Sequence, residues 1–265
     1  MDTALDADVA ALREGRAFVR PHVRTLAVVG GDAERWLNDL VTAGVDRLAE
    51  GESARSLVLT PMGRIRADVH VLRANDGFRV LQSPDQPESV LAILSPYVLS
   101  SDVQLTETDD RPAAFRLIPG AADVGLLPRP DPPAGAVEVD EAAAERWRIE
   151  TGVARFPVDL DRESLPAEAG LDVPPVTDTA KGCFLGQESV ARVRGLGHPT
   201  RVVMSLIADD PVDAGDDLTA DGRRAGVVTS VAEAARAPVA VIARVRWDAR
   251  NATLRTGRGA LLRRR

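Results

Sequence analysis

Ser56-Leu57-Val58-Leu59-Thr60-Pro61-Met62-Gly63-Arg64-Ile65-Arg66-Ala67-Asp68-Val69-His70-Val71 is the stretch that decides the architecture. Its first five residues read as a strand and Pro61-Met62-Gly63 as a turn. Ile65, Ala67, Val69 and Val71 then alternate with polar neighbours as the returning strand. So short a turn joins antiparallel partners, because a parallel pair needs a long crossover. Downstream, Asp76-Gly77 is a second turn signal before a strand at Phe78-Arg79-Val80-Leu81. Upstream, Asp32 reads as an N-cap for a helix whose apolar stripe is Trp36, Leu37, Leu40 and Val41. Pro87 opens a helix carrying Val90, Leu91, Ile93 and Leu94, which Pro96 would kink or end. The run Pro128-Arg129-Pro130-Asp131-Pro132-Pro133 reads as a loop, and 141–149 as a helix. Strands and helices alternate without βαβ spacing, so the class is α+β.

Past Arg201 the pattern changes. Val202 to Ile207, Ala225 to Val231, Val239 to Trp247 and Ala252 to Leu262 read as strands. Turns fall at Asp213-Ala214-Gly215 and Asp221-Gly222. Close-spaced short strands of this kind suggest a small antiparallel barrel. The boundary falls near His198-Pro199, giving domains of 1–198 and 199–265.

The composition fits a globular chain: of 265 residues, 45% are hydrophobic and 28% charged. Only 3% are aromatic, so few rings are available to stack on a flat ligand. A formal net charge of -7 argues against general nucleic-acid binding. One cysteine excludes an internal disulfide and suits a reducing compartment. Asp2, Asp6 and Asp8 leave no secretory pattern at the amino terminus. No apolar run approaches membrane-spanning length. The expectation is a cytoplasmic chain with no membrane partner. His22, His70 and His198 show no metal spacing with one another or with the cysteine.

That cysteine lies in Lys181-Gly182-Cys183-Phe184-Leu185-Gly186-Gln187-Glu188. Gly186 stands where an N-cap would be, ahead of a helix beginning at Gln187. The unpaired N–H groups there carry partial positive charge, and with Lys181 nearby they form an environment that favours thiolate. The alternative is a cysteine acting as a small buried hydrophobe between turn glycines.

Lys-Gly-Cys-aromatic-x-Gly-Gln-Glu, with Arg192 four residues after Glu188, resembles the signature of the YgfZ family. These folate-binding proteins are implicated in iron–sulfur enzyme maintenance and tRNA modification, and they are similar to the aminomethyltransferase (T-protein, GcvT) of glycine cleavage. Further blocks resemble the family in order: 26–42 its opening strand, turn and first helix, and 60–68 its Gly-Arg-Ile hairpin. Arg148-Ile149-Glu150-Thr151-Gly152 and 165–171 are two more. The resemblance implies a GcvT/YgfZ-like large α+β domain with antiparallel sheets and a small C-terminal antiparallel β-barrel. It also implies tetrahydrofolate or a derivative held at the centre of the large domain, and iron–sulfur client or assembly proteins as partners.

On this resemblance Cys183 and Lys181 form the reactive point, within a loop of Gly182, Phe184, Gly186, Gln187, Glu188 and Arg192. Gln187 and Glu188 would orient the loop. Candidates for the folate slot are Asp68, Arg64, Glu168, Trp36 and Arg194. Taken singly, Trp36 also reads as core, Arg64 as a solvated turn residue, and Glu168 as a helix-start residue. Where the aminomethyltransferases carry paired aspartates, this chain has Ala67-Asp68. Their pterin-gripping acidic turn falls near 115–120, where no Glu-Asp pair stands, and one of their arginines aligns with Ala144. Three functions stay open: a folate-binding protein supporting iron–sulfur enzymes, a folate-dependent one-carbon transferase, and a non-catalytic scaffold.

Overall fold

The central hairpin forms as its alternation requires, and it organises the larger part of the chain. The structure, a computed structural model, describes residues 3–115, 125–233 and 238–265. Helix α1 (Thr3–Arg13) leads through β1 (Ala17–Phe18) to β2 (Arg24–Val29) and α2 (Ala33–Leu40). The hairpin strands β3 (Ser53–Leu59) and β4 (Ile65–Ala74) follow, then β5 (Gly77–Gln82), α3 (Val90–Leu94) and β6 (Gln104–Thr108). Beyond them come β7 (Ala113–Phe115), β8 (Leu127–Arg129), β9 (Val137–Glu138), α4 (Glu141–Thr151) and α5 (Gln187–Leu196). The main sheet has the order β3-β4-β5-β2-β6, and every neighbouring pair in it is antiparallel.

The remaining strands are β10 (Arg201–Ala208), β11 (Asp217–Ala220), β12 (Arg223–Val231), β13 (Val239–Arg246), β14 (Leu254–Thr256) and β15 (Leu261–Arg264). They close into a barrel of order β10-β13-β12-β11-β14-β15, which removes the free edges an open sheet would present. Met204, Leu206, Leu218, Val228, Val241 and Leu262 are among the residues that fill it.

Alternation gives the main sheet two unlike faces. Ala67, Val69 and Val71 of β4 join Leu26, Val28, Phe78 and Val80 in a core covered by Trp36 and Leu37 of α2 and by Ile93 and Leu94. On the opposite face Leu57, Leu59 and Ile65 meet Phe156, Leu160, Phe184 and Val190 near the hairpin tip. Farther along, that face becomes polar.

Several local expectations need correction. Asp32 does precede α2, but its carboxylate accepts from the Asp102 N–H at 2.8 Å instead of capping the helix. The helix expected from Pro87 starts at Val90, where Ser89 caps it by accepting from Ala92 N–H. Pro128 and Arg129 belong to β8, with Pro128 opposite Ala114 in a two-stranded ribbon whose edge tolerates a missing N–H. The strand read over 252–262 is two strands separated by a turn. The acidic-turn comparison at 116–120 lies outside the described residues. Among the described residues no helix is long and apolar enough to cross a membrane.

Candidate functional site

On its polar side the main sheet floors a cavity of about 240 Å³. Asp68 and His70, two apart on β4, share this face. Arg55 of β3 lies directly opposite His70, and Leu81 of β5 lies on its other side. Helix α4 closes the cavity from above with Ala144, Glu145, Trp147 and Arg148, and the chain after it adds Val153 to Phe156. Asp140 caps this helix by accepting from Ala143 N–H at 2.8 Å.

Arg55 grips Asp68 with both edges of its fork. Nε donates to Oδ1 at 3.0 Å and Nη2 to Oδ2 at 2.6 Å, and Nη2 also donates to the Ala154 carbonyl at 2.6 Å. Both side chains are buried. This bidentate geometry is the strong form of a charge-assisted pair, and it occupies both carboxylate oxygens. Gln86 holds the backbone of Asp68 by accepting from its N–H at 3.1 Å and donating to its carbonyl at 2.6 Å.

His70 has no comparable partner. Its Nε2 is shut off from solvent and makes no hydrogen bond among the described residues. Burial pushes its pKa down to about 4; the negative charge of Asp68 pulls up against this and Arg55 adds to the push. The ring is therefore neutral at physiological pH. Trp147 Nε1 and Arg155 Nε are likewise buried without a partner among the described residues. Burial would raise the Glu145 carboxyl, but the hydrogen bond and charge of Arg148, with Arg155 beyond, hold it below the usual range.

Arg148 also ties the cavity wall to the barrel. Its guanidinium donates to Asp159 Oδ2 at 2.6 Å and Ser230 Oγ at 2.8 Å, and Ser230 Oγ donates to the other oxygen of Asp159 at 2.8 Å. Ile149, Ala232, Ala240 and Ile242 pack beside this network.

Residues 1–124 match the family described as the GCVT N-terminal domain. A tRNA-modifying protein YgfZ from Escherichia coli is 27% identical over 237 aligned positions, covering 72% of this chain and 72% of that one. An aminomethyltransferase from Rubrobacter xylanophilus is 27% identical over 260 positions, covering 79% of this chain and 70% of that relative. The chain is thus similar to YgfZ proteins and to aminomethyltransferases, and its residues 1–124 are GcvT-like. The crystal structure of the glycine cleavage system aminomethyltransferase T from Bartonella henselae superposes on this chain with a TM-score of 0.75. That match covers 96% of this chain and 87% of that one, at 18% identity.

Of the five residues expected in the folate slot, Asp68 alone lines the cavity. Trp36 is core, with Nε1 donating to the Tyr97 carbonyl at 2.8 Å. Arg64 lies at the hairpin turn, paired with Glu163 at 2.8 Å. Glu168 is buried elsewhere, 3.4 Å from Arg201 at the start of the barrel; burial pushes its carboxyl up and Arg201 offsets part of that. Arg194 is exposed on α5. Arg55, His70, Gln86, Trp147 and Arg155 were missed. The available signal was a charge and an imidazole inside strands otherwise apolar, since such groups are seldom buried without a purpose.

The cysteine loop forms a second locus. Cys183 is exposed, while its neighbour Phe184 is sunk in the apolar cluster and anchors the loop. Lys181 turns away to another task. Its ammonium donates to the carbonyls of Asn38 and Val41, the latter at 2.6 Å, and so caps the end of α2. Burial lowers its pKa to about 8 against the raising charges of Asp39, Asp46 and Asp178. Gln187 Oε1 accepts from the Phe184 N–H at 3.3 Å. Glu188 and Arg192 are exposed and make no ion pair among the described residues. Gly186 adopts φ +84°, and a Cβ there would stand 2.6 Å from the Thr60 carbonyl. At Gly63 the same atom would stand 2.7 Å from Ser189 Cβ. Two glycines thus let the hairpin turn and the first turn of α5 touch.

Proposed function

We propose that this chain is a folate-binding protein of YgfZ type. On this reading it holds a reduced folate in the cavity and supports assembly or repair of iron–sulfur enzymes in the cytoplasm, tRNA-modifying ones among them. The cavity over the polar face of the sheet carries this reading. Its volume is below the roughly 300–1,000 Å³ typical of sites that enclose a whole ligand. It suits a fused ring with the rest of the molecule outside. Its lining combines apolar side chains such as Leu81, Leu126 and Phe156 with the polar groups of His22, Ser83, Glu141 and Glu145, a mixture that suits a flat ring with polar edges. Cys183 would then be the point presented to partners. Lys181 is engaged with the end of α2.

The paired state of Asp68 weighs against aminomethyl transfer. A carboxylate with both oxygens held by one guanidinium is already engaged and is a poor partner for a developing cation. The test is complementation in cells lacking their own copy, reading iron–sulfur enzyme activity and tRNA methylthiolation at matched protein levels. Loss with Cys183→Ala is the expected result. Full rescue by Cys183→Ala would reject the cysteine loop as the working point. Formation of methylenetetrahydrofolate from an aminomethyl donor would establish the transferase instead.

A further inference from the structure

An exposed strand edge offers a row of unpaired N–H and C=O groups to any extended chain, so native folds cover, bend or charge their edges. The barrel has no edge because it is closed. The main sheet seals its β3 side with the residues after α2. Val41 bridges to Val58, the Thr42 N–H donates to the Leu57 carbonyl at 3.0 Å, and Thr42 Oγ1 accepts from the Leu57 N–H at 2.9 Å. The β6 side is left open. That strand pairs with β2 in unbroken register, and among the described residues its outward backbone groups have no hydrogen-bond partner. Its sequence, Gln104-Leu105-Thr106-Glu107-Thr108, holds no proline or lysine to block another strand. One guard is present. Leu105 lies opposite Val28 and Glu107 opposite Leu26, so an exposed carboxylate ends an apolar row. Asp109 follows, and neither it nor Glu107 is ion-paired among the described residues, whereas Asp110 is taken by Arg79 at 2.9 Å. Two such strands brought edge to edge would put Glu107 and Asp109 of both copies on one short ribbon, where like charges repel. The guard therefore works against a second copy and is neutralised by a basic segment.

We infer that the open edge of β6 takes a sixth strand from a basic partner protein, an extended segment that pairs antiparallel with 104–108 and sets Lys or Arg against Glu107 and Asp109. Main-chain hydrogen bonds would supply the adhesion and the cross-strand pairs the choice of partner. The antiparallel sense follows the rest of the sheet, in which every neighbouring pair is antiparallel. The net charge of -7 favours encounter with a basic segment. The inference does not depend on the folate reading.

The probe is the capped peptide Arg-Thr-Lys-Thr-Val-Thr, whose Arg, Lys and Val face Asp109, Glu107 and Leu105 while its threonines face Thr108, Thr106 and Gln104. Its counterpart carries Glu in place of the Arg and Lys. Both are titrated into the full-length protein, with NMR reading the shifts and the hydrogen exchange of the backbone amides. The basic peptide should bind and slow exchange within 104–108, and the acidic one should not. The double variant Glu107→Lys with Asp109→Lys, at two exposed positions, should weaken the basic peptide at least about tenfold, since two favourable cross-strand pairs become repulsive ones. It should bind the acidic peptide in exchange. Asp131→Lys with Asp210→Lys makes the same change of net charge at exposed positions in other parts of the fold and should leave the preference intact. Equal binding of the basic peptide by both double variants, or protection of amides outside β6, would overturn the inference. So would the absence of any shift at millimolar peptide. Dimerisation of the wild-type chain that slows exchange across 104–108 without peptide would give the edge to a second copy and overturn it as well.

Discussion

Acidification should destabilise this protein through His70 in a way that a single substitution removes. In the folded chain the imidazole is held neutral, its pKa pushed down to about 4 by burial, with Asp68 opposing and Arg55 assisting. In the unfolded chain a histidine titrates near 6.5. Between those values the unfolded state binds a proton that the folded state refuses. The full stability is therefore present above pH 6.5 and is lost as the pH falls towards 4. Integrating over that window gives a loss of about 2 kcal/mol at pH 5 relative to pH 7.5. This is an upper value, because the ring as a whole is only half-buried. For a chain of this size each kcal/mol moves the melting temperature by about 2–4 °C. Thermal melts of wild type and His70→Gln at pH 7.5 and pH 5 measure the effect, since glutamine cannot take up the proton. The wild type should lose about 4–8 °C more than the variant over that interval. His22 and His198 are common to both proteins, so whatever they contribute cancels in the difference. Parallel declines, or an NMR titration of His70 near its ordinary value, would refute the neutral buried imidazole.

Three further outcomes follow from the geometry. Asp68→Asn takes the carboxylate from the buried guanidinium of Arg55 and should cost about 3–5 kcal/mol in urea unfolding. Replacing both partners with apolar residues should restore much of that, and an unmoved midpoint for the single variant would count against the pair. Lys181, with its pKa lowered to about 8 by burial, binds a proton more readily when unfolded between pH 8 and 10.5. Wild-type stability should therefore rise by at most about 2 kcal/mol from pH 7.5 to 9.5, and Lys181→Met should lack that rise in denaturant titrations. Gly186→Ala places a Cβ 2.6 Å from the Thr60 carbonyl at φ +84° and should cost about 2 kcal/mol or more. An alanine variant that melts with the wild type would show that the turn and helix are free to separate.

The hairpin and the barrel were legible because alternation and turn residues are local signals, and antiparallel sheets are built from local connections. The helix at Gln187 was legible for the same reason. The cavity was not, because its wall is assembled from segments far apart in sequence: Val19 to Val23, β3 to β5, the β7–β8 ribbon, and α4 with the chain after it. Asp68 emerged because it sits in a recognisable hairpin, and its ally Arg55 stayed hidden because ordinary strand patterning does not name a cross-strand partner. Lys181 misled for a physical reason. Proximity to Cys183 in sequence suggested an electrostatic partnership, but a long flexible side chain reaches whichever acceptors are best. The end of α2 supplies carbonyls that have no partner within the helix.

The two loci are separate in exposure and joined in construction. Cys183 faces solvent, while Asp68 and His70 lie under α4. Strand β4 links them: it leaves the turn at Gly63, which is pressed against the first turn of α5, and reaches Asp68 five residues later, about 17 Å along an extended chain. That turn is tight at both glycines, so the loop and the strand cannot shift independently without breaking close packing. The cavity end of the strand is fixed in turn by Arg55 and Gln86. A substitution such as Asp68→Asn that loosens the floor should therefore also alter the accessibility of Cys183, which a thiol-alkylation rate reports without reference to folate. Cys183→Ala, at an exposed position with no packing to lose, should leave the cavity and its acid sensitivity as they were. The coupling is thus asymmetric: it runs from the buried floor outward, because only the floor carries structural weight.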